Sequence, residues 1–237
     1  MADYKKPDHW QLKARKDGFP ARSVYKLEEI DQKFSLIKTP GGYARSNFRI
    51  LDIGAAPGSW SLYVLRKIAN TGCDRSFDAS GDASGNVSCG VGCFLAAVDL
   101  SPLSREFDNC EKNRGLFDSD NFFFLQGDIT DPEIRKTLFS KGKYNLIISD
   151  AAPGTTGNHM LDSARSLELA ETVIGCAEAA LLCGGNLVVK IFQGSGTDLL
   201  LKRMRTLFKT AKSFKPEACR GESVETYFIG LGLKYLN

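Results

Sequence analysis

Leu51-Asp-Ile-Gly-Ala-Ala-Pro-Gly-Ser-Trp60 is the most informative segment for the fold class, because an apolar run passes there through a tight turn directly into a helical pattern. The apolar run begins at Phe48 and is nearly continuous, as expected of a parallel strand that is covered on both faces. Gly54 lets the backbone of the turn pass close to a ligand, and Pro57-Gly58 keep the turn tight. Ligands of parallel sheets bind at the carboxyl ends of strands, where this turn lies.

Outward from this turn, apolar runs alternate with helical patterns. The clearest helical pattern runs from Met160 to Leu181, and Gly184-Gly185 are expected to end it; a second covers 197–208. Such alternation predicts an α/β fold with a mainly parallel, doubly wound sheet and helices on both faces. The connection over 216–223 is too short for a crossover helix, so an antiparallel pair is expected at the end of the sheet. The expected strands are 48–53, 94–98, 121–125, 144–149, 187–192 and 225–231.

The composition favours one soluble domain over residues 1–237. The chain is 43% hydrophobic and 25% charged, which is enough to bury a core and excludes wholesale disorder. It has no apolar run of the roughly 18–20 residues that span a bilayer, and no apolar leader, so we expect no membrane partner and a cytoplasmic location. Residues 70–93 are rich in Gly, Ser and Asp without any period, and they predict a flexible surface insertion.

The net charge of +3 is distributed unevenly. Residues 1–26 carry seven Lys or Arg against three Asp, and residues 202–220 carry seven Lys or Arg against Glu217 alone. Two basic segments around an acidic middle favour a polyanion partner, although two solvated helical faces would give the same pattern. We therefore expect residues 1–45 to form a basic arm or helix that contacts a polyanion such as RNA. Aromatic residues Tyr4, Trp10 and Phe19 in this arm either stack on bases or anchor it hydrophobically.

The cysteine pattern argues against a metal site. The chain has seven cysteines and no secretion signal, which indicates free thiols in a reducing compartment. Cys73, Cys89 and Cys93 have irregular spacing, and the only histidines are His9 and His159. We expect no metal.

Acidic residues near the ends of successive strands predict a nucleoside cleft. Asp99 closes one strand, where a carboxylate can accept both hydroxyls of a ribose, and Asp128 closes the next, where it can accept from an adenine amine. One such acid is more often a helix N-cap, but with Asp52 there are three. The turn after Asp52 lacks the spacing of a dinucleotide or phosphate-binding loop and has no Lys or Arg, so a neutral or zwitterionic nucleoside fits better than a phosphate.

A second pair of residues lies beyond this cleft. Asp150 ends the strand Ile-Ile-Ser-Asp, and Lys190 lies within the apolar strand Leu-Val-Val-Lys-Ile-Phe. A lysine among β-branched residues is costly to keep charged unless it is paired, which makes Lys190 a candidate general base. An ion-paired lysine that reaches solvent at the strand end is the alternative.

These residues carry a resemblance. The chain resembles the FtsJ/RrmJ-type ribose 2′-O-methyltransferases, which use S-adenosylmethionine, over nearly its whole length except 70–93. The segments that match are RSVYKLEEI, LDIGAAPGSW, AAVDLSP, FLQGDITD, SDAAPGTTG, VVKIFQGSG and ETYFIG. The resemblance implies a Rossmann-like methyltransferase fold with a seven-stranded sheet whose last strand is antiparallel.

The resemblance also implies a catalytic tetrad and a cofactor site. The tetrad falls on Lys26, Asp150, Lys190 and Glu225, with Glu222 as a rival for the fourth position and with Val224 where the family usually has a basic residue. The S-adenosylmethionine contacts fall on Gly54, Gly58, Trp60, Asp99, Asp128 and Asp150.

The implied reaction is methyl transfer to the ribose 2′-hydroxyl of a uridine in 23S ribosomal RNA, in an assembled or assembling large subunit, by a monomer that needs no metal. Residues 1–26 and 202–220 would contact the RNA. The alternatives are a tRNA anticodon-loop enzyme and a catalytically idle RNA-binding assembly factor. A cap methyltransferase and a nicotinamide oxidoreductase fit less well, because no cap-binding domain and no dinucleotide fingerprint are visible.

Overall fold

The computed structural model describes residues 8–37, 48–69 and 93–235. The expected insertion at 70–93 lies outside the described residues, apart from Cys93, which begins a strand. The helices are α1 (His9–Lys16), α2 (Val24–Phe34), α3 (Ser59–Ala69), α4 (Pro132–Ser140), α5 (His159–Ala180) and α6 (Thr197–Leu207). The strands are β1 (Phe48–Ile53), β2 (Cys93–Asp99), β3 (Phe122–Gln126), β4 (Tyr144–Ser149), β5 (Leu181–Phe192), β6 (Phe208–Phe214) and β7 (Glu225–Leu233).

All seven described strands form one sheet in the order β3-β2-β1-β4-β5-β7-β6. The first five strands in this order are parallel, whereas β7 lies between β5 and β6 and is antiparallel to both. This arrangement confirms the predicted α/β, mostly parallel seven-stranded sheet. The turn after β1 lies at the carboxyl edge of the parallel strands, near the centre of the sheet, where the order of strands reverses.

Alternate residues of each strand face opposite layers of helices. Ile50, Leu146 and Val188 face the layer that contains α1, α2 and α3. Leu51 and Ile147, like the other residues of the opposite face, pack against the layer that contains α4, α5 and α6. Each layer buries its own core, so the strands in the middle are apolar on both faces and read as continuous apolar runs.

Two boundaries differ clearly from the sequence prediction, and the ends of β2, β3 and β7 differ from it by one or two residues. The long helix ends at Ala180, four residues before the glycines that were expected to stop it. Leu181 is extended and buried, and it pairs with Tyr144 of β4, because its side chain has a place in the sheet core. The other difference is the start of β6. The helical pattern over 197–208 includes Phe208, whereas in the structure Phe208 is the first residue of this strand.

The N-terminal helices pack into the core of the domain. Ala14 of α1 and Leu27 of α2 are buried, as is Phe19 between the two helices. Trp10 packs on the ring of Tyr25 at a centroid distance of 5.0 Å. Phe19 and Trp10 therefore anchor this segment, which was one of the two roles considered for them; Tyr4 lies outside the described residues. Among the helices that the structure describes, none combines the length and the apolar character needed to cross a bilayer.

Candidate active site

Three polar side chains from β5 and β7 share one face of the sheet because of the antiparallel register. Lys190 pairs with Tyr227, and Phe192 pairs with Glu225 two residues further along each strand. Residues two apart on a strand point to the same side, so Glu225, Tyr227 and Lys190 all face the layer of α2. Asp150 follows β4, the neighbour of β5, and reaches this group from the carboxyl edge.

The four residues of the predicted tetrad form two ion pairs. Lys26 of α2 lies 2.5 Å from Glu225 Oε1, and Lys190 Nζ lies 2.9 Å from Asp150 Oδ1. Lys190 also donates to the backbone carbonyl of Asp150. All four side chains are between 9% and 15% exposed, so the pairs are partly shielded from water but open to a ligand.

The carboxyl of Asp150 stays ionised in this environment. Burial alone would raise its pKa, but the charges of Lys190 and Lys26 and a hydrogen bond from Tyr227 hold the pKa below the ordinary value of 3.8. Tyr227 Oη donates to Asp150 Oδ1 at 2.7 Å. Burial, together with the charges of Asp150 and Glu225, raises the pKa of Tyr227 well above its ordinary value, so the phenol keeps its proton and remains a donor.

Of the two glutamates considered for the fourth position, only Glu225 contacts Lys26. Glu222 is exposed in the connection before β7. The thiol of Cys219 also lies close to Glu225, and burial together with this carboxylate raises the pKa of Cys219 to about 12. Cys219 therefore carries a protonated thiol and not a thiolate.

A cavity opens at the carboxyl edge of β1, β2, β3 and β4, next to the two ion pairs. Three carboxylates line it, those of Asp99, Asp128 and Asp150, and no Lys or Arg is among the lining residues. Such a cavity favours a cationic or zwitterionic ligand over a phosphate. The lining residues are Ile53, Gly54, Ala56, Val98, Asp99, Leu100, Gly127, Asp128, Ile129, Asp150, Ala151, Ala152 and Leu169.

The two strand-end carboxylates of the cavity also organise their own loops. Asp99 Oδ2 accepts from the N–H of Ala56 at 2.9 Å, and Oδ1 accepts from the N–H of Ser101 at 2.8 Å. Asp128 Oδ1 accepts from the N–H of Thr130 at 2.8 Å. A carboxylate oxygen has two lone pairs, so these turn contacts leave acceptor capacity for hydroxyl or amine groups of a ligand.

The turn after β1 depends on glycine for a reason that the sequence did not reveal. Gly54 has φ +79°, and a Cβ there would lie 2.5–2.6 Å from Ala151, so the glycine lets the loops after β1 and β4 approach each other. Gly58 (φ +110°) faces Phe117 in the same way, and it does not line the cavity.

The side chain of Trp60 points into the core. It is 2% exposed, its indole N–H donates to the carbonyl of Ser23 at 2.8 Å, and its ring packs 5.9 Å from that of Tyr227. Trp60 therefore connects the start of α3 to the start of α2, and its ring packs against that of Tyr227. Any contact of Trp60 or Gly58 with a ligand in the turn would involve the backbone.

Asp52 is completely buried beneath the cavity and does not line it. Ser61 Oγ donates to its Oδ2 at 2.7 Å, while Oδ1 has no hydrogen-bond partner among the described residues. Burial raises the pKa of this carboxyl to about 7, and the nearby charges of Asp150 and Asp99 contribute to the increase. Of the three acids near strand ends, only Asp99 and Asp128 therefore belong to the cavity wall.

Comparison with known proteins gives a clear relationship. Residues 19–233 match the family model described as FtsJ-like methyltransferase. The chain belongs to this family. A Treponema denticola protein named Ribosomal RNA large subunit methyltransferase E is 42% identical over 231 residues, which are 98% of this chain and 97% of the relative. A protein of the same name from Borreliella afzelii is 36% identical, over 94% of this chain and 96% of the relative.

Solved structures support the fold of this FtsJ-like methyltransferase. A Plasmodium falciparum protein described as a ribosomal RNA methyltransferase aligns with a TM-score of 0.66 at 24% identity, over 91% of this chain and 98% of that one. Human methyltransferase-like protein 13, solved in complex with SAH, aligns with a TM-score of 0.53 at 13% identity, over 87% of this chain and 81% of that one. Both likenesses confirm the Rossmann-like methyltransferase fold.

Sequence reasoning missed several residues that shape this FtsJ-like site. Tyr227 is one of them, and the alternation of ETYFIG could have revealed it, because Glu225 and Tyr227 are two residues apart on a strand. Asp162 is another: its carboxylate accepts from Thr156 N–H and Oγ1, both at 2.8 Å, and from Gly157 N–H at 3.1 Å. These bonds hold the loop that follows Asp150.

The basic residues of segment 202–220 do not all lie near the tetrad. Lys215 and Arg220 lie in the β6–β7 connection at the same edge as the tetrad, whereas Lys209 lies near the start of β6, at the opposite edge of the sheet. Arg203 of α6 pairs with Glu178 at 2.7 Å. Residues 1–7 of the N-terminal segment lie outside the described residues.

Within the described parts of the chain, no group of three or more His, Cys, Asp or Glu residues could hold a metal ion. Of the cysteines considered for a metal, Cys73 and Cys89 lie outside the described residues.

Proposed function

We propose that the protein transfers a methyl group from S-adenosylmethionine to the ribose 2′-hydroxyl of a uridine in 23S ribosomal RNA, within an assembled or assembling large subunit. The observation that carries the proposal is the double role of Asp150. This residue lines the acidic cavity, and its carboxylate is the partner of Lys190 in the neighbouring cluster of ion pairs. A site for a nucleoside cofactor and a site for proton transfer therefore adjoin at one residue.

The cavity suits the proposed cofactor. S-adenosylmethionine supplies a methyl group that is already activated by a sulfonium, so the transfer needs alignment and no metal. Asp99 and Asp128 would accept hydrogen bonds from the ribose hydroxyls and the adenine amine. The carboxylates of the lining and its lack of Lys and Arg match a cationic ligand. The backbone of Gly54, Gly58 and Trp60 would border the cofactor from the turn after β1.

The cluster of ion pairs suits proton transfer from a hydroxyl. A ribose 2′-hydroxyl is a weak nucleophile near pH 7, and a positioned base takes its proton as the new bond forms. Lys190 Nζ serves as that base in our proposal. Asp150 and Tyr227 fix the direction of the amine, and the Lys26–Glu225 pair holds the hydroxyl in line with the methyl group, where alignment supplies much of the rate.

The choice of RNA rests on the named relatives and on the resemblance to ribose methyltransferases. Relatives that share 42% and 36% of their residues with this chain carry the name Ribosomal RNA large subunit methyltransferase E. The 2′-hydroxyl itself distinguishes RNA from DNA. Residues 1–26 and 202–220 supply the basic surface for phosphates, and the protein acts as a monomer.

The test uses radiolabelled S-adenosylmethionine and three substrates: large ribosomal subunits that lack the modification, free 23S ribosomal RNA, and tRNA. We expect label on a ribose 2′-oxygen of a uridine in the subunits or the free ribosomal RNA. Label on tRNA alone would keep the reaction and contradict the substrate. No label on any RNA, with S-adenosylhomocysteine still bound, would contradict the enzymatic proposal and favour an idle assembly factor.

A further inference from the structure

Three hydrogen bonds from α2 and the turn before it converge on the connection between β6 and β7. Glu29 Oε1 accepts from the N–H of Ala218 at 2.8 Å, and Oε2 accepts from the N–H of Glu217 at 2.6 Å. Arg22 Nη2 donates to the carbonyl of Ala218 at 2.6 Å. Ala218 is fully buried, so two of these bonds satisfy its backbone N–H and carbonyl away from water, whereas Glu217 is exposed. Each bond involves an ionised group, which makes it stronger than a bond between neutral partners.

The two side chains that hold this peptide lie on either side of Lys26. Arg22, Lys26 and Glu29 are spaced four and three residues apart, so they follow one face of the helix. Arg22 precedes the helix, and its carbonyl already accepts from the N–H of Tyr25 at 3.2 Å. Lys26 of the tetrad therefore lies on the same face of α2 as Glu29, and Arg22 extends this face into the turn before the helix. Arg22 and Glu29 are the two residues that bond to the β6–β7 connection.

The gripped peptide is adjacent to a residue that touches Glu225. Cys219 follows Ala218 directly, and its thiol is close enough to the Glu225 carboxylate for that carboxylate to raise the pKa of the thiol. The register of β5 and β7 fixes the backbone of Glu225 opposite Phe192, but α2 is not part of that ladder. The buried side chains of Leu27 and Ile30 hold α2 against the sheet. The contacts with the β6–β7 connection add a direct link between the helix of Lys26 and the segment just before Glu225, whose carboxylate lies 2.5 Å from Lys26.

We propose that Arg22 and Glu29 are positioning residues that clamp the β6–β7 connection to α2 and thereby hold Glu225 against Lys26. The inference rests on the proposed function, because it assigns both residues to the assembly of that active site. Neither residue touches the cavity, so their effect is on the rate of transfer and not on cofactor binding. A displacement of about 1 Å in such a site costs on the order of 100-fold in rate.

The test compares Glu29→Gln with Glu28→Gln. The glutamine at position 29 places an amide N–H₂ against a backbone N–H, so one of the two bonds from this side chain to the connection is broken. Glu28 is the neighbouring residue on α2, and it lines a different groove beside Tyr25 and Tyr63. The two variants change the charge and the helix equally, and only one of them affects the clamp.

Three readouts separate positioning from general stability. Hydrogen exchange reports on the amides of Glu217 and Ala218, and an amine-reactive reagent followed by mass spectrometry reports on Lys26, whose side chain is 11% exposed. Single-turnover methyl transfer, with the dissociation constant of S-adenosylhomocysteine, separates rate from binding. For Glu29→Gln we expect faster exchange, more labelling of Lys26, transfer slowed by about tenfold or more, and cofactor affinity within about twofold of the wild type.

The outcomes keep this inference distinct from the proposed function. Transfer by Glu29→Gln as fast as by Glu28→Gln, or unchanged labelling of Lys26, would overturn the clamp. If the wild type transfers no methyl group to any RNA, the proposed function fails, and exchange and labelling still decide whether the clamp holds the pair. Arg22→Gln serves as the second variant: because both residues hold the same peptide, its effect and that of Glu29→Gln should be less than additive in the double variant.

Discussion

Asp150 joins the two halves of the active site at the level of a single residue. It accepts hydrogen bonds from Tyr227 and Lys190 and also belongs to the cavity wall. A buried carboxyl stays ionised only when such partners stabilise its charge, and for this reason the pKa of Asp150 is below its ordinary value. The lysine, by contrast, can be replaced without any change in the cavity lining.

Lys190→Ala is expected to abolish methyl transfer and to leave cofactor binding nearly intact. General-base catalysis contributes about 10²–10⁴-fold, so the single-turnover rate should fall by at least two orders of magnitude. Isothermal titration with S-adenosylhomocysteine checks the binding, and Lys136→Ala, an exposed lysine on α4, controls for the loss of charge. Transfer near the wild-type rate would mean that another group is the base.

Asp52 gives the stability of the protein a pH dependence of unusual sign. Its pKa is about 7 in the folded protein and 3.8 in the unfolded chain, so the folded state binds the extra proton between these values. The free energy of unfolding therefore falls as the pH rises through this interval, by up to about 4 kcal/mol. Asn resembles the protonated carboxyl, so Asp52→Asn should remove this loss.

Thermal unfolding at pH 5 and pH 8 measures the effect. We expect the Tm of Asp52→Asn, relative to the wild type, to be higher at pH 8 than at pH 5. Asp162→Asn provides a control, because hydrogen bonds from the backbone of Thr156 and from its hydroxyl lower the pKa of Asp162 below 3.8. The stabilisation by Asp162 is therefore fully present at both pH 5 and pH 8 and is lost only below about pH 4, so the Tm difference of Asp162→Asn should be the same at the two pH values. Equal shifts of Asp52→Asn at both pH values would contradict a raised pKa.

At the level of secondary structure, the sequence predicted the strands that are buried on both faces. It missed the boundaries that depend on how neighbouring strands pair. Nearly continuous apolar runs identified β1 and β4 to the residue, because parallel strands that are covered on both faces are mostly apolar. The end of α5 and the bounds of β6 could not be predicted, since Leu181 and Phe208 are apolar in either state and only their partners in the sheet decide.

The sequence and its family resemblance predicted the charged residues of the candidate site, but not the residues that hold them in place. Asp150 and Lys190 stand out as charged residues at the end of one apolar strand and within another, so the sequence alone made them candidates. Lys26 and Glu225 come only from the resemblance to the family, and the structure brings all four side chains together. The inward orientation of Trp60 and the burial of Asp52 were not predictable, because both depend on how α3 packs beneath the cavity. The hydrogen bonds of Glu29 to a distant backbone leave no local signal at all.

Helix α6 carries a row of cations, and neutralising it tests the proposed RNA surface. The triple variant Lys202→Gln, Arg203→Gln, Arg205→Gln should weaken RNA binding and reduce the slope of log K against log salt by about 0.7–0.9 for each phosphate that the helix no longer neutralises. The matched control neutralises Lys112, Arg114 and Lys136, which are not on α6. An unchanged slope in the α6 variant would mean that this helix faces something other than phosphate.

For the whole molecule, a ligand that binds only the folded state raises the melting temperature. S-adenosylhomocysteine at 100 times its dissociation constant contributes about 2.7 kcal/mol, which for a chain of this size raises the Tm by roughly 5–10 °C. We expect Asp99→Ala to lose this shift and NAD to produce none, as measured by differential scanning fluorimetry. Stabilisation by NAD alone would contradict the proposed cofactor.

The position of β7 between β5 and β6 has a consequence for the order in which the protein matures. The cavity is built from the ends of β1, β2, β3 and β4 and the loops after them, together with α5. The tetrad also needs a helix near the beginning of the sequence and the last strand. Contacts between distant parts of a chain form late, because closing a long loop costs entropy before the contact can stabilise it. We therefore expect the contact between Lys26 and Glu225, the first residue of β7, to be among the last that the folding chain makes. The cavity that would hold the cofactor should form before it.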